Sequence, residues 1–236
     1  MDKLDIDKVR SFYESVTEVW PKGDLWHLYS KKNIEQYISK QSYDVNAYIL
    51  NAGSGGNTYG LTQQMHHVDI VEDMIKCYPE YTVSSIEKLP FASRLFSDII
   101  CVGSVINYCD AIVTIAELSR VLKSNGRLTL EFESSWGLEH IRNKEFKQSA
   151  AIVEVSYFGK LSKQWIYSPK YIKKALTLAG FRIIHTLRFH YLSGLHYSIY
   201  KNENAAATYA SFDGICRNIP FLRQHSNNII FTCVKL

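Results

Sequence analysis

The feature that most constrains this chain is the order in which short apolar runs meet glycines and helix signals. Residues 47–50 (AYIL) break directly into Asn51-Ala52-Gly53-Ser54-Gly55-Gly56-Asn57, and further runs follow at 68–71 (VDIV), 81–83 (YTV), 98–102 (DIICV) and 128–132 (LTLEF). Short runs of this kind fit strands buried on both faces, as in a parallel sheet. Between the last two lies DAIVTIAELSRVLKSNG, where Asp110 can cap, Ile112, Ile115, Leu118 and Leu122 share one face, and Gly126 supplies a stop. That spacing predicts a helix. Ser168-Pro169 opens a second one, a cap followed by proline at the first helical position, which runs to Gly180. Strands are expected at 181–184 and, closing the chain, at 229–234 (IIFTCV). Strands alternating with helices predict a doubly wound α/β sheet, and in such sheets ligands sit beyond the carboxyl ends of the strands.

Composition narrows the class further. With 46% apolar residues, 21% charged residues and five prolines in 236, the chain must bury a core and is neither disordered nor collagen-like. No run approaches the roughly 20 apolar residues of a membrane helix, and the opening MDKLDIDKVR is charged where a secretory signal turns apolar. A soluble, cytoplasmic protein is expected. Five cysteines without a CxxC pair argue against a disulfide framework or a zinc knuckle, so no metal is expected. The net charge of +4 hides an asymmetry: 13 Lys/Arg stand against 18 Asp/Glu up to Glu133, and 14 against 5 beyond it. Basic surface there is either a solvated face or a lure for an acidic ligand.

Glycines at a strand end permit positive φ and let a ligand approach the backbone without meeting a Cβ. Sixteen residues past Gly53 the second run delivers Asp69, where a carboxylate accepts from ribose hydroxyls of a nucleotide-like cofactor; a helix cap is the structural alternative. The strings LNAGSGG, VDIVEDMI, SIEKLPFASRLFSDIICVGSVINYC and ELSRVLKSNGRLTLEFES resemble, in order and spacing, the class I S-adenosylmethionine-dependent methyltransferases, strongly over residues 45–133 and more loosely through AGFRII and NNIIFTCVKL. The resemblance implies a Rossmann-like, three-layer α/β/α fold of about seven strands with an antiparallel C-terminal strand. It also implies S-adenosylmethionine as cofactor and S-adenosylhomocysteine as product. One methyltransferase domain is expected over residues 1–236: an aromatic lid at 1–44, the cofactor core at 45–133, a substrate-binding insertion at 134–168, and a C-terminal helix and strands at 169–236.

Carried over by position, the resemblance puts Asn51, Gly53, Ser54 and Gly55 along the methionine and ribose. Asp69 and Ile70 fall at the ribose, and Ser85, Ile86 and Glu87 at the adenine. Gly103 and Ser104 flank the methionine part, with Tyr13 reaching over from the arm. Four departures from the family pattern stand out: Asn51 replaces an acid, Asn57 the third glycine, Ser85 an aspartate, and GNTYGLTQQMH is too short for the usual first helix, so a loop is expected there.

Methyl transfer from a sulfonium is an in-line displacement, so positioning and water exclusion come first, and a base serves when the acceptor must lose a proton. Tyr108, Glu133 and His190 are the leading acid/base candidates, followed by His140 and His196. Two aromatic groups are expected to form the acceptor pocket: Phe12, Tyr13, Trp20, Trp26, His27, Tyr29 and Tyr37 before the core, and Trp136, Tyr157, Phe158, Trp165 and Tyr167 after it. Lys160, Lys163, Arg188 and His190 make this side basic, which predicts an acceptor bearing a carboxylate or phosphate. INYC in place of an NPPY-like tetrad, and the lack of a PC-type nucleophile, argue against DNA base methylation. The expected reaction is methyl transfer to an O or N atom of a small molecule by a monomer or homodimer without membrane insertion. Its alternatives are a noncatalytic methyltransferase-fold partner protein, an RNA or protein methyltransferase, and a nicotinamide-dependent oxidoreductase.

Overall fold

A computed structural model describes residues 4–16, 18–157 and 160–236. Helices α1 (Ile6–Glu14) and α2 (Leu25–Ser39) precede the sheet, whose strands are β1 (Tyr48–Ala52), β2 (Gln64–Asp69), β3 (Tyr81–Val83), β4 (Phe96–Cys101) and, after helix α3 (Ala111–Val121), β5 (Leu122–Glu133). A separate hairpin, β6 (Ala150–Tyr157) with β7 (Lys160–Tyr167), leads to α4 (Pro169–Leu178), β8 (Phe181–Phe189), α5 (Leu192–Tyr200), α6 (Glu203–Ala207) and β9 (Asn228–Lys235). The seven-stranded sheet runs β3-β2-β1-β4-β5-β9-β8. Strands β3 to β5 through β1 pair in parallel, and β9 is antiparallel to both β5 and β8.

Both faces of this sheet are covered, which is why its strands lack polar alternation. Successive residues of β1 point opposite ways: Leu50 joins Val68, Ile99, Leu128 and Leu130 in one core with Ile115 and Leu118 of α3 and Ile172 of α4, while Ile49 joins Ile100 and Ile230 in another with Ile34 and Ile38 of α2. No helix connects β1 to β2, as the short spacing predicts. Instead Tyr59 and Leu61 of that loop pack into the α2 core.

The helix expected to end at Gly126 ends at Val121. Leu122 already pairs with Phe96, and the next pair is Asp98 with Arg127, so residues 123–126 bulge out of the ladder with Asn125 at φ 61°. Gly126 serves that bulge, where a Cβ would lie 2.7 Å from Leu122 Cδ1. Ser168 caps α4 as expected, accepting from Tyr171 N at 3.1 Å. Strand β8 extends well past residue 184, and β9 gains a residue at each end. No helix among the described residues is long and apolar enough to cross a membrane.

Candidate active site

The loop after β1 is built for close backbone approach. Gly53, Gly55 and Gly56 all take positive φ (72°, 51° and 76°), and the amides of Gly53 and Ser54 both donate to Val68 O at the end of β2. Asp69 holds the loop from the neighbouring strand: Oδ2 accepts from Gly55 N at 2.8 Å and Oδ1 from Val71 N at 3.1 Å. Burial pushes its carboxyl up, opposed by these amides and that of Ile70, and a carboxylate with three donors still has room for a further one. Ser54 Oγ meets His67 Nδ1 at 2.6 Å, His67 stacks on Tyr78, and the Tyr78 hydroxyl donates to Gly56 O.

Asn51 does not line the cavity that opens here. It is buried, and its Nδ2 donates to Asn57 O at 2.6 Å, so the amide that replaces the family's acid tethers the loop from within. Glu87 is likewise diverted: its Oε1 accepts from Asp110 N at 2.7 Å, where it holds the segment leading into α3.

The cavity has a volume of about 230 Å³ and is lined on one side by Gly53, Ser54, Gly55, Asp69, Ile70, Ser85 and Ile86. Gly103 (φ 80°) and Ser104 (φ 59°) form its wall at the exit of β4. Their amides donate to Glu131, whose other oxygen accepts from Asn228 Nδ2 at 2.7 Å. Sequence reasoning misses Glu131, whose one signal is a carboxylate inside the apolar run LTLEF. It lies 1% exposed and is pushed up by burial.

The α1 helix closes the cavity from above. Arg10 Nε donates to Ile70 O at 3.2 Å, and Tyr13 packs edge-on against Tyr108 at 5.6 Å, both rings lining the cavity. Replacing Tyr13 with alanine is expected to weaken S-adenosylhomocysteine binding about five- to tenfold, through roughly 1 kcal/mol of aromatic contact; calorimetry on the variant checks this.

Beyond Tyr108 the same cavity continues to Glu133, Glu139, His140, Gln164 and Glu203. Burial pushes the Tyr108 phenol up to about 12, so it stays protonated at neutral pH and cannot serve as the base. Glu133 is pushed up to about 8, first by burial and then by Glu139 and Glu131. Its Oε2 accepts from Gln164 Nε2. His190 is placed elsewhere. It is fully buried behind Trp26, stacked at 3.9 Å, with Ser30 and Ser193 on its ring nitrogens, and burial drives it down to about 3. It therefore fixes Trp26 and cannot reach an acceptor.

Of the N-terminal aromatic group, Tyr13, Trp20, Trp26 and His27 line the cavity, whereas Tyr29 and Tyr37 hydrogen-bond to Asp213 and Thr232. The second group does not line it as expected. Trp165 and Tyr167 sit in the core, Trp136 packs near His225, Phe158 lies outside the described residues and so does the side chain of Tyr157. The hairpin offers Val153, Glu154, Val155 and Gln164 instead. The expected basic wall is also absent among the described residues: Lys163 is exposed beside Glu154, Arg188 reaches Ser226, neither lines the cavity, and the side chain of Lys160 lies outside the described residues.

Residues 50–130 match the family model of a methyltransferase domain. Over those residues the chain is similar to the methyltransferase-domain family, and it shares its fold with a putative S-adenosylmethionine-dependent methyltransferase of Listeria monocytogenes (TM-score 0.61, 13% identity, 88% of this chain and 99% of that one). Among curated proteins, an uncharacterized protein of Methanocaldococcus jannaschii is 24% identical over 200 residues, 75% of this chain and 78% of its own. Among solved structures, the chain is also similar in fold to the geranyl diphosphate C-methyltransferase of Streptomyces coelicolor (TM-score 0.60, 10% identity, 98% of this chain and 97% of that one). It is also similar to the 1,6-didemethyltoxoflavin-N1-methyltransferase of Burkholderia thailandensis (TM-score 0.54, 12% identity, 98% and 86%). The substrates in those two names share little chemistry, so the shared fold leaves the acceptor open.

Proposed function

We propose that this protein transfers a methyl group from S-adenosylmethionine to an O or N atom of a small molecule. The observation that carries the reading is the continuity of one cavity from the glycine loop and Asp69 to Glu133. The residues present fit the cofactor: Gly53, Gly55 and Gly103 line the cavity with backbone alone, and Asp69 beside them keeps acceptor capacity for a ribose hydroxyl. Ser85 and Ile86 would border the adenine, Gly103 and Ser104 the methionine portion, and Tyr13 would cover it. When bound, S-adenosylmethionine supplies an electrophilic methyl on a sulfonium.

The protein's own work is positional and protic. Trp20, Trp26 and Tyr13 wall off water, and Glu133 Oε1, with Oε2 held by Gln164, takes the proton that an O–H or N–H acceptor loses. A carboxyl pushed up to about 8 is protonated below that pH and cannot accept, so kcat/KM is expected to rise with pH up to about 8 and then level off. Glu133→Gln is expected to lower turnover about 100-fold and abolish that rise, with S-adenosylhomocysteine affinity kept. A pH profile of both proteins by a radiolabelled-methyl assay checks it. The reading itself is tested by calorimetry: micromolar binding of S-adenosylmethionine supports it, and no binding points to the noncatalytic partner protein.

A further inference from the structure

The acceptor end of the cavity carries more information than its walls' polarity. Resting on the methyl-transfer reading, we propose that the acceptor is a small organic cation, an amine protonated in solution, received by Glu133, Glu139 and Glu203.

The charges in this chamber do not balance. Glu133, Glu139 and Glu203 line it and, among the described residues, a single lysine joins them, Lys201, whose Nζ lies 5.0 Å from the centre of the Tyr197 ring. Glu131 lines the cavity too, but both its oxygens are engaged, by the Ser104 amide and by Asn228, and so it belongs to the wall; Glu139 and Glu133 have one oxygen each held, by Asn227 Nδ2 at 2.6 Å and by Gln164, and offer the other. Glu154 sits at the mouth, largely exposed and 4.0 Å from Lys163. Histidines add little positive charge: His27 Nδ1 is matched by Asp24 Oδ2 at 2.5 Å, and His140 is held down, toward neutral, by burial.

Glu139 acts on both of the other carboxyls. Glu139 raises Glu133, and Glu139 together with Glu203 raises the Tyr197 phenol, after burial in each case. Glu203 is pushed up by burial even with His27 beside it. Like charges held in a partly dry chamber repel and lack solvation, and a bound cation relieves both costs. An anion would add to them.

A second observation points to a ligand independently of the carboxylates. His140 is 4% exposed, lines the chamber, and has no hydrogen-bond partner for its ring among the described residues. A buried neutral imidazole offers a lone pair and an N–H, and an ammonium group satisfies the lone pair. The flat walls suit the same ligand. Trp26, clamped against His190, and Tyr197 present ring surface to a cation or to the apolar part of an arylalkylamine.

The chemistry balances for such an acceptor. The ammonium nitrogen gives one proton to the Glu133 carboxylate, its freed lone pair forms the new N–CH3 bond, and the electron pair of the broken S–CH3 bond stays on sulfur as the thioether. Glu133 then releases the proton to solvent.

The test uses three probes of similar shape, benzylammonium, benzyl alcohol and benzoate, titrated by calorimetry into the full chain saturated with S-adenosylhomocysteine, in EDTA so that no metal contributes. Benzylammonium is expected to bind at least about tenfold more tightly than either of the others, and Glu139→Gln and Glu203→Gln each to cut that preference about three- to tenfold. S-adenosylhomocysteine affinity in each variant confirms folding. Benzoate or benzyl alcohol binding as well as the cation, no binding of benzylammonium, or a preference that survives both substitutions overturns the proposal. Failure of S-adenosylhomocysteine itself to bind overturns the methyl-transfer reading instead, so the two failures are distinguishable.

Discussion

Gly53→Ala is expected to abolish measurable S-adenosylhomocysteine binding and to lower the stability of the fold by about 3 kcal/mol. Two penalties act together. At φ 72° an alanine occupies the left-handed region that L side chains avoid, and its Cβ would stand 2.3 Å from Val105 Cγ1 and 2.5 Å from Cγ2. Relief of that overlap requires the loop or the β4 exit to move, and both line the cavity proposed to hold the cofactor. Trimming the neighbour separates the penalties: Gly53→Ala with Val105→Ala recovers part of the stability, because the branched methyls are gone while the Val105 Cβ, 2.9 Å away, and the backbone strain remain. Thermal unfolding and calorimetry on the single and double variants measure this. A single variant that binds like the native chain contradicts the placement of the cofactor.

Asp69→Ala is expected to weaken S-adenosylhomocysteine binding by about 100-fold or more, the cost of roughly two hydrogen bonds to a charged group. Its carboxylate does two jobs at once: it holds the amides of Gly55 and Val71 and faces the cavity. Asp69→Asn distinguishes them, since an amide can accept only through its single oxygen and must turn its NH2 toward the other partner. About tenfold weakening is expected for the asparagine, with a smaller change in melting temperature than for the alanine. Equal binding by all three proteins would remove Asp69 from the site.

Where the sequence read correctly, local chemistry decided the structure. Strand β3 begins and ends where its run does, and the Ser168-Pro169 pair starts α4 because a cap and a fixed φ act within one turn. Where it misled, residues served two patterns. Leu122 continues the helical face of α3 and yet pairs with Phe96, so the helix stops earlier than Gly126 implies.

The site shows a sharper limit. A count along the chain makes the part after Glu133 strongly basic, but counting does not say which way side chains point. Of its five acidic residues, Glu139, Glu154 and Glu203 line the cavity, and of its fourteen lysines and arginines only Lys201 does among those described. Charge sparse in sequence is thus concentrated in space. His190 escapes the sequence for a related reason: β8 runs on to Phe189 and carries it into a buried turn against Asp213.

The loop joining β1 to β2 reaches its partner strand without forming a helix, anchored instead by Asp69, His67 and Tyr78 through side-chain hydrogen bonds. A helix beginning there would direct several free amides and the positive end of its dipole at whatever lies above the glycines, an arrangement that rewards diphosphates. This chain keeps the glycines and forgoes that attraction. A donor whose reactive centre carries positive charge loses nothing by the omission, whereas a pyrophosphate-bridged dinucleotide forfeits its principal anchor, so the missing turns act as a filter on which class of nucleoside the strand tips accept.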